Sequence, residues 1–216
     1  MFHMNSNITA GLVMAVLFTT AAAFAQNDNS KPSQPRTGDP VAGKAKSLLC
    51  QGCHGEDGNS LATLIPKLAG QDGAYISKQV RNFQAGTRTH RIMNDLATTV
   101  NDDDLIDIAA YFASQNKMKG DGSAGNRIGM SLFLNGDAHR MIIACVICHG
   151  EGGKGLEPNT SMFPVIGGQH KDYLRQQLIN FRKSDRSNSP DGVMNGITKS
   201  LTDAELESLA EYISGQ

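Results

Sequence analysis

The pattern Cys-x-x-Cys-His occurs twice, as Cys50-Gln-Gly-Cys53-His54 and as Cys145-Val-Ile-Cys148-His149, at an offset of 95 residues. These are all four cysteines of the chain. On a helix, residues at i, i+3 and i+4 share a face. Each pair of sulfurs and the imidazole beside it can therefore point the same way. That is the attachment signature of c-type haem, with two thioether bonds to the vinyl groups and one nitrogen to the iron. A thioredoxin-like dithiol needs no histidine directly after it, and neither motif sits in a βαβ pattern. A single four-cysteine zinc site would leave both histidines without a role. The expected cofactors are two covalently bound haem c groups, with thioethers in place of disulfides.

The motif belongs to a longer repeat. Pro66–Arg88 aligns without gaps on Pro164–Arg186, and eight of the 23 positions are identical. The identical pairs are Pro66/Pro164, Gly70/Gly168, Gln71/Gln169, Tyr75/Tyr173, Gln79/Gln177, Asn82/Asn180, Phe83/Phe181 and Arg88/Arg186. Further on, Met93-Asn94 matches Met194-Asn195, and Leu105…Ala109-x-Tyr111 matches Leu206…Ala210-x-Tyr212. Two copies of about 100 residues mean tandem domains and not a solenoid, whose repeats run about 20–50 residues. The expected organisation is a leader at 1–25, a polar tail at 26–37, a first domain at 38–117, a linker at 118–126 and a second domain at 127–216.

Both copies read as helical, so the expected fold class is all-α. Tyr75, Gln79, Val80 and Phe83 recur at helical spacing, as do Tyr173, Gln177, Leu178 and Phe181. Thr202-Asp-Ala-Glu205 is a capping box for a final helix, and Asn101-Asp-Asp-Asp104 is a weaker version. Gly52–Leu61 and Gly150–Leu156 read as glycine-rich loops. Only 6% of the 216 residues are aromatic and none is tryptophan, thin material for two cores unless each porphyrin fills much of its own domain.

A formal net charge of −1 gives no basic field, so a nucleic-acid partner is not expected. Residues 1–25 carry no Asp, Glu, Lys or Arg, and the apolar run Ile8–Phe18 leads to Ala23-Phe24-Ala25. That is the pattern of a secretory signal cleaved after Ala25, although the usual basic n-region is missing. The rival is an uncleaved anchor, since Ile8–Ala25 gives 18 uncharged residues. The expected location is the periplasm, with association at the membrane if the leader stays on.

A sixth ligand must come from elsewhere in each copy. Only Met93 and Met194 occupy matching positions, each before the final helix, and Met/His ligation is a standard c-type arrangement. Met118, Met130, Met141 and Met162 are expected as core filler. His90 competes with Met93, but its counterpart is Asp191, so it is expected as a loop residue; His139 and His170 are expected at the surface. Pro66 and Pro164 are either turn prolines or markers of a carbonyl that accepts the free N–H of the ligand histidine. Arg88 and Arg186 either pair with haem propionates or stand as solvated loop charges.

With the paired motifs, the Pro-x-[LI]-x-Gly-Gln…Tyr-x-x-x-Gln segment and the late methionine of each half, the chain resembles the cytochrome c4 family from Gly38 onward. The resemblance implies two class I cytochrome c domains, His54/Met93 and His149/Met194 ligation, and haem contact by the Pro66 and Pro164 loops. It also implies electron delivery from an upstream donor to a terminal oxidase or reductase. Two departures stand out. Gly125–Ala144 is longer than its counterpart and carries Arg140-Met141-Ile142-Ile143, and Gly86 is replaced by Ser184. The alternatives are a dihaem enzyme, such as a peroxidase or a sulfur-oxidising dehydrogenase, and a dihaem subunit with a flavoprotein partner.

Overall fold

The structure, a computed structural model, describes Met1 and residues 37–123, 126–156 and 163–216. Beyond Met1, the expected leader, the polar tail up to residue 36 and Met162 lie outside the described residues. The first repeat folds as α1 (Pro40–Lys46), α2 (Leu48–His54), α3 (Gly73–Gln84), α4 (Arg91–Ala97) and α5 (Asp102–Ala113). The second folds as α6 (Arg127–Asn135), α7 (Val146–His149), α8 (Lys171–Lys183), α9 (Val193–Lys199) and α10 (Asp203–Ser214). Among the described residues there is no strand, only an isolated bridge between Asp137 and Ile142. The all-α fold expected from the sequence is the fold observed.

Local chemistry sets the helix starts. Pro40 opens α1, where its missing N–H costs nothing, and the Asp39 carboxylate accepts from the Val41 and Ala42 amides. Asn101 caps α5 by accepting from the Asp104 amide, and Thr202 and Glu205 close a reciprocal capping box on α10. The apolar stripes then face inward: Leu105, Ile108, Ala109 and Phe112 on α5, and Leu206, Leu209, Ala210 and Ile213 on α10, are all buried.

Within each half the first helix crosses the last at a glycine. A Cβ at Gly43 would stand 2.0 Å from the Asp107 carbonyl oxygen, and one at Gly129 would stand 2.0 Å from that of Ser208. No side chain fits in that space, so α1 meets α5, and α6 meets α10, backbone to backbone. Ala69, Met118 and Val165 form a small buried cluster, which makes Met118 the core filler expected.

Several expectations need correction. Met130 and Met141 are not core: they are 40% and 82% exposed. Met130 follows Gly129 on the outer side of α6, whereas Leu132 and Phe133 turn inward. Met141 takes a left-handed conformation (φ 56°) at a turn closed by the Asp137–Ile142 bridge. That turn belongs to the extra segment before the second motif; Ile142 reaches the core, and Arg140 pairs with Asp137 and Glu205. Gly52 lies inside α2 and not in a loop. In the expected linker, the Gly120 and Gly122 amides donate to the carbonyls of Gln216 and Gly215. Ser184 keeps the backbone of the glycine it replaces, φ 63° against 69° at Gly86.

Candidate functional site

His54 and His149 are the last residues of α2 and α7, and both are buried. Gly55 (φ 88°) and Gly150 (φ 75°) end these helices in conformations that a Cβ would oppose. Each chain segment then turns back so that a proline carbonyl meets the ring. His54 Nδ1 donates to the Pro66 carbonyl at 2.8 Å, and His149 Nδ1 donates to the Pro164 carbonyl at 2.9 Å. This fixes the tautomer and leaves Nε2 with its lone pair, the state in which imidazole binds a metal. Burial lowers the pKa of both rings, which favours the neutral form.

Burial raises the thiol pKa of Cys50 and takes that of Cys145 to about 11, so neither is poised as a reactive thiolate. That fits covalent attachment better than dithiol redox chemistry. The four cysteines, both histidines, Pro66, Pro164, Met93 and Met194 all line one cavity of about 710 Å³ that runs through both halves. Its other walls are largely apolar, with Leu68, Val80, Leu96 and Val100 in the first half and Ile166, Leu174, Leu178 and Ile197 in the second. A neutral imidazole, paired thiols and a thioether on one apolar chamber suit a flat apolar macrocycle with a metal at its centre.

The methionines sit on α4 and α9, and the asparagine after each fastens its helix. The Asn94 amide donates to the carbonyls of Phe83 (2.7 Å) and Arg88 (3.0 Å). The Asn195 amide donates to those of Phe181 (2.7 Å) and Arg186 (2.8 Å). His90, expected as a loop residue, is the N-cap of α4 and accepts from the Met93 amide. His139 is exposed, as expected. His170 is not a surface residue: it is half-buried, and its Nε2 bonds to the Ser60 carbonyl oxygen across the two halves at 2.9 Å.

Arg88 and Arg186 are not solvated loop charges. Arg88 donates to Gln79 Oε1 (2.8 Å) and, across the halves, to the Tyr173 hydroxyl (3.0 Å) and Gln177 Oε1 (3.1 Å). Arg186 mirrors it, donating to Gln177 Oε1 (2.8 Å), the Tyr75 hydroxyl (2.9 Å) and Gln79 Oε1 (3.1 Å). Each guanidinium also stacks on a phenyl ring, Arg88 on Phe83 at 4.7 Å and Arg186 on Phe181 at 4.5 Å. Both arginines line the cavity, and no ion pair among the described residues involves either one.

A second mirrored contact lies nearby. Gln71 exchanges two hydrogen bonds of 2.8 Å with the backbone of Val165, and Gln169 exchanges bonds of 2.8 and 2.9 Å with that of Lys67. Residue 165 is the repeat partner of residue 67, so the halves meet about a pseudo-two-fold axis. Sequence reasoning missed this role for Gln71, Tyr75, Gln79 and their partners. The signal was present, because a self-complementary interface needs the same residue on both sides.

Comparison with known proteins agrees with this geometry. The family model for cytochrome c matches residues 130–216. The chain is similar to cytochrome c4 of Pseudomonas aeruginosa, 42% identical over 82% of this chain and 89% of that one. It is also similar to a thiosulfate dehydrogenase electron acceptor of Stutzerimonas stutzeri, 34% identical over 78% of this chain and 79% of the relative. Among solved structures, reduced cytochrome c4 from Pseudomonas stutzeri superposes with a TM-score of 0.77 at 37% identity, covering 82% of this chain and 98% of that one.

Proposed function

The chain belongs to the cytochrome c4 family, and we propose that His54 and Met93 hold one haem iron and His149 and Met194 the other. It is an electron carrier and not an enzyme, with two covalently bound haem c groups, and it exchanges electrons with redox partner proteins. What supports the ligand assignment most is the repeated bond from a buried histidine Nδ1 to a proline carbonyl, on a cavity that a matched methionine also lines. Haem supplies a one-electron Fe(III)/Fe(II) couple, whose potential methionine ligation raises.

The chain's own residues do the rest. Cys50, Cys53, Cys145 and Cys148 fix the two groups through thioethers. Pro66 and Pro164 hold the ligand rings in one orientation and one tautomer. Arg88 and Arg186, held only by neutral side chains in their hydrogen bonds, bring positive charge to the cavity, where carboxylate propionates would balance it. The apolar walls keep water from the ligands. The working domains are 38–117 and 127–216, joined by the linker 118–126.

Residues 1–25 act as an export signal, and the mature chain works in the periplasm, passing electrons to a terminal oxidase or reductase. No helix among the described residues is long and apolar enough to cross a membrane. The likeness to a thiosulfate dehydrogenase electron acceptor favours a second reading of the donor, as a sulfur-oxidising dehydrogenase. Stopped-flow reduction by such a dehydrogenase, against reduction by a quinol-oxidising complex, separates the two.

Met93→Ala and Met194→Ala test the ligation. Each is expected to halve the sulfur-to-iron charge-transfer band, to turn one of two haems high-spin and to lower its potential by on the order of 0.1 V. An unchanged spectrum in either variant would overturn that axial pair.

A further inference from the structure

The two methionine helices carry the same Met-Asn pair but are fastened differently. In the first half, the His90 amide donates to Asn94 Oδ1 at 2.6 Å, and the Met93 amide donates to His90 Nδ1 at 3.3 Å. The backbone at His90 is extended, so this closed ring of bonds carries no left-handed residue. In the second half, Asn195 Oδ1 is buried with no hydrogen-bond partner. The residue matching His90 is Asp191, which sits at φ 50°, a region that disfavours a side chain. Gly192 occupies the cap position of α9, and the Met194 amide is held from further back, by the Ser189 hydroxyl at 3.2 Å. Gly196 lies inside α9, where α4 has Asp95. The left-handed Asp191, the unpartnered Asn195 oxygen and the interior Gly196 each weaken this helix or its entry.

We infer that Met194 is a displaceable ligand, so that the second haem opens to a small neutral π-acceptor of the carbon monoxide class while the first stays closed. This rests on the assignment of Met194 as an axial ligand. The exchange is simple in its balance: the bond from the Met194 sulfur to ferrous iron breaks, the incoming carbon lone pair takes its place, and no electron or proton moves. In the second half the cavity lining includes the apolar side chains of Ile166, Leu174, Leu178, Val193 and Ile197. They admit a neutral diatomic more readily than an anion, which would lose its hydration there.

The test is a carbon monoxide titration of the reduced, full-length protein, followed by its visible absorption. One haem of the two is expected to respond, with an affinity about fivefold above that of the other, the factor that one glycine inside a helix is worth. Gly196→Ala is expected to weaken that phase several-fold, because the added Cβ meets nothing within 4 Å and only the helix gains. His90→Ala is expected to bring the first haem into the same range. Equal binding at both haems, binding at neither, or a tight phase indifferent to Gly196→Ala would overturn the inference. Met194→Ala separates the premises: if the sulfur-to-iron band keeps its full intensity, the ligand assignment has failed. If the band halves while the unmodified protein binds carbon monoxide equally or not at all, only the lability has failed.

Discussion

Around Arg88 and around Arg186 the same partners meet at nearly the same distances: two glutamines, a tyrosine from the opposite half and a phenyl ring. Around Met93 and Met194 one dipeptide is carried by two different backbones, its methionine amide held by the His90 ring in one half and, past a glycine cap, by the Ser189 hydroxyl in the other. The contrast teaches what the repeat preserves. A side chain at the contact between the halves serves both at once, so a change there disturbs two contacts. A methionine helix makes its contacts within one half and is free to diverge. The halves also differ in bulk, with a buried apolar cluster of five residues in the first and ten in the second, where the extra segment adds Ile142.

The harshest way to break the likeness is at the helix crossings. Gly43→Ala and Gly129→Ala each push a methyl group to 2.0 Å from a carbonyl oxygen, so each should cost at least about 3 kcal/mol. Calorimetry on both variants checks this. Similar losses would show that the two crossings are equivalent, and a tolerated substitution in one half would show that its helices can slide apart.

At the interface the two arginines should behave as one unit. Arg88→Ala and Arg186→Ala should each cost about 2–3 kcal/mol, the scale for removing a charged hydrogen-bonding group from buried partners. Because both donate to Gln79 and Gln177, the double variant should lose less than the sum of the two. A strictly additive double-mutant cycle would contradict a shared network.

The smallest effect separates the halves by pH. Glu205 is held at a pKa of about 2, against an ordinary 4.5, chiefly by its hydrogen bonds to Arg140. A carboxylate depressed in the folded state adds its stability above the unfolded pKa and loses it as the pH falls through the folded one. The melting temperature should therefore fall between pH 4.5 and about 2, and Glu205→Gln should flatten that slope. An unaltered slope would remove this pair from the account.

What was legible in the sequence followed from local rules. The capping box at Thr202 and the stripe from Leu206 to Ile213 each depend on spacing along one helix, and each is found where spacing put it. The position of Arg88 was not legible, because a lone cation in a divergent loop looks the same whether it meets solvent or a tyrosine 85 residues away. Gly43 and Gly129 went unnoticed for a related reason. Their role lies in the backbone of another helix, and the helices around them share almost no other residue. The same limit applies to Met141, which looks apolar in sequence but sits outside because a turn places it there.

The central claim is that each half holds one haem iron between a histidine and a methionine and passes single electrons. An optical redox titration of the purified full-length protein addresses it most directly. The account predicts two low-spin c-type haems per chain, each titrating as a one-electron centre at the high potential that methionine ligation gives, with the sulfur-to-iron band at full strength in the oxidised state. A high-spin haem in the isolated protein, a single haem per chain, or a band at half strength would contradict it.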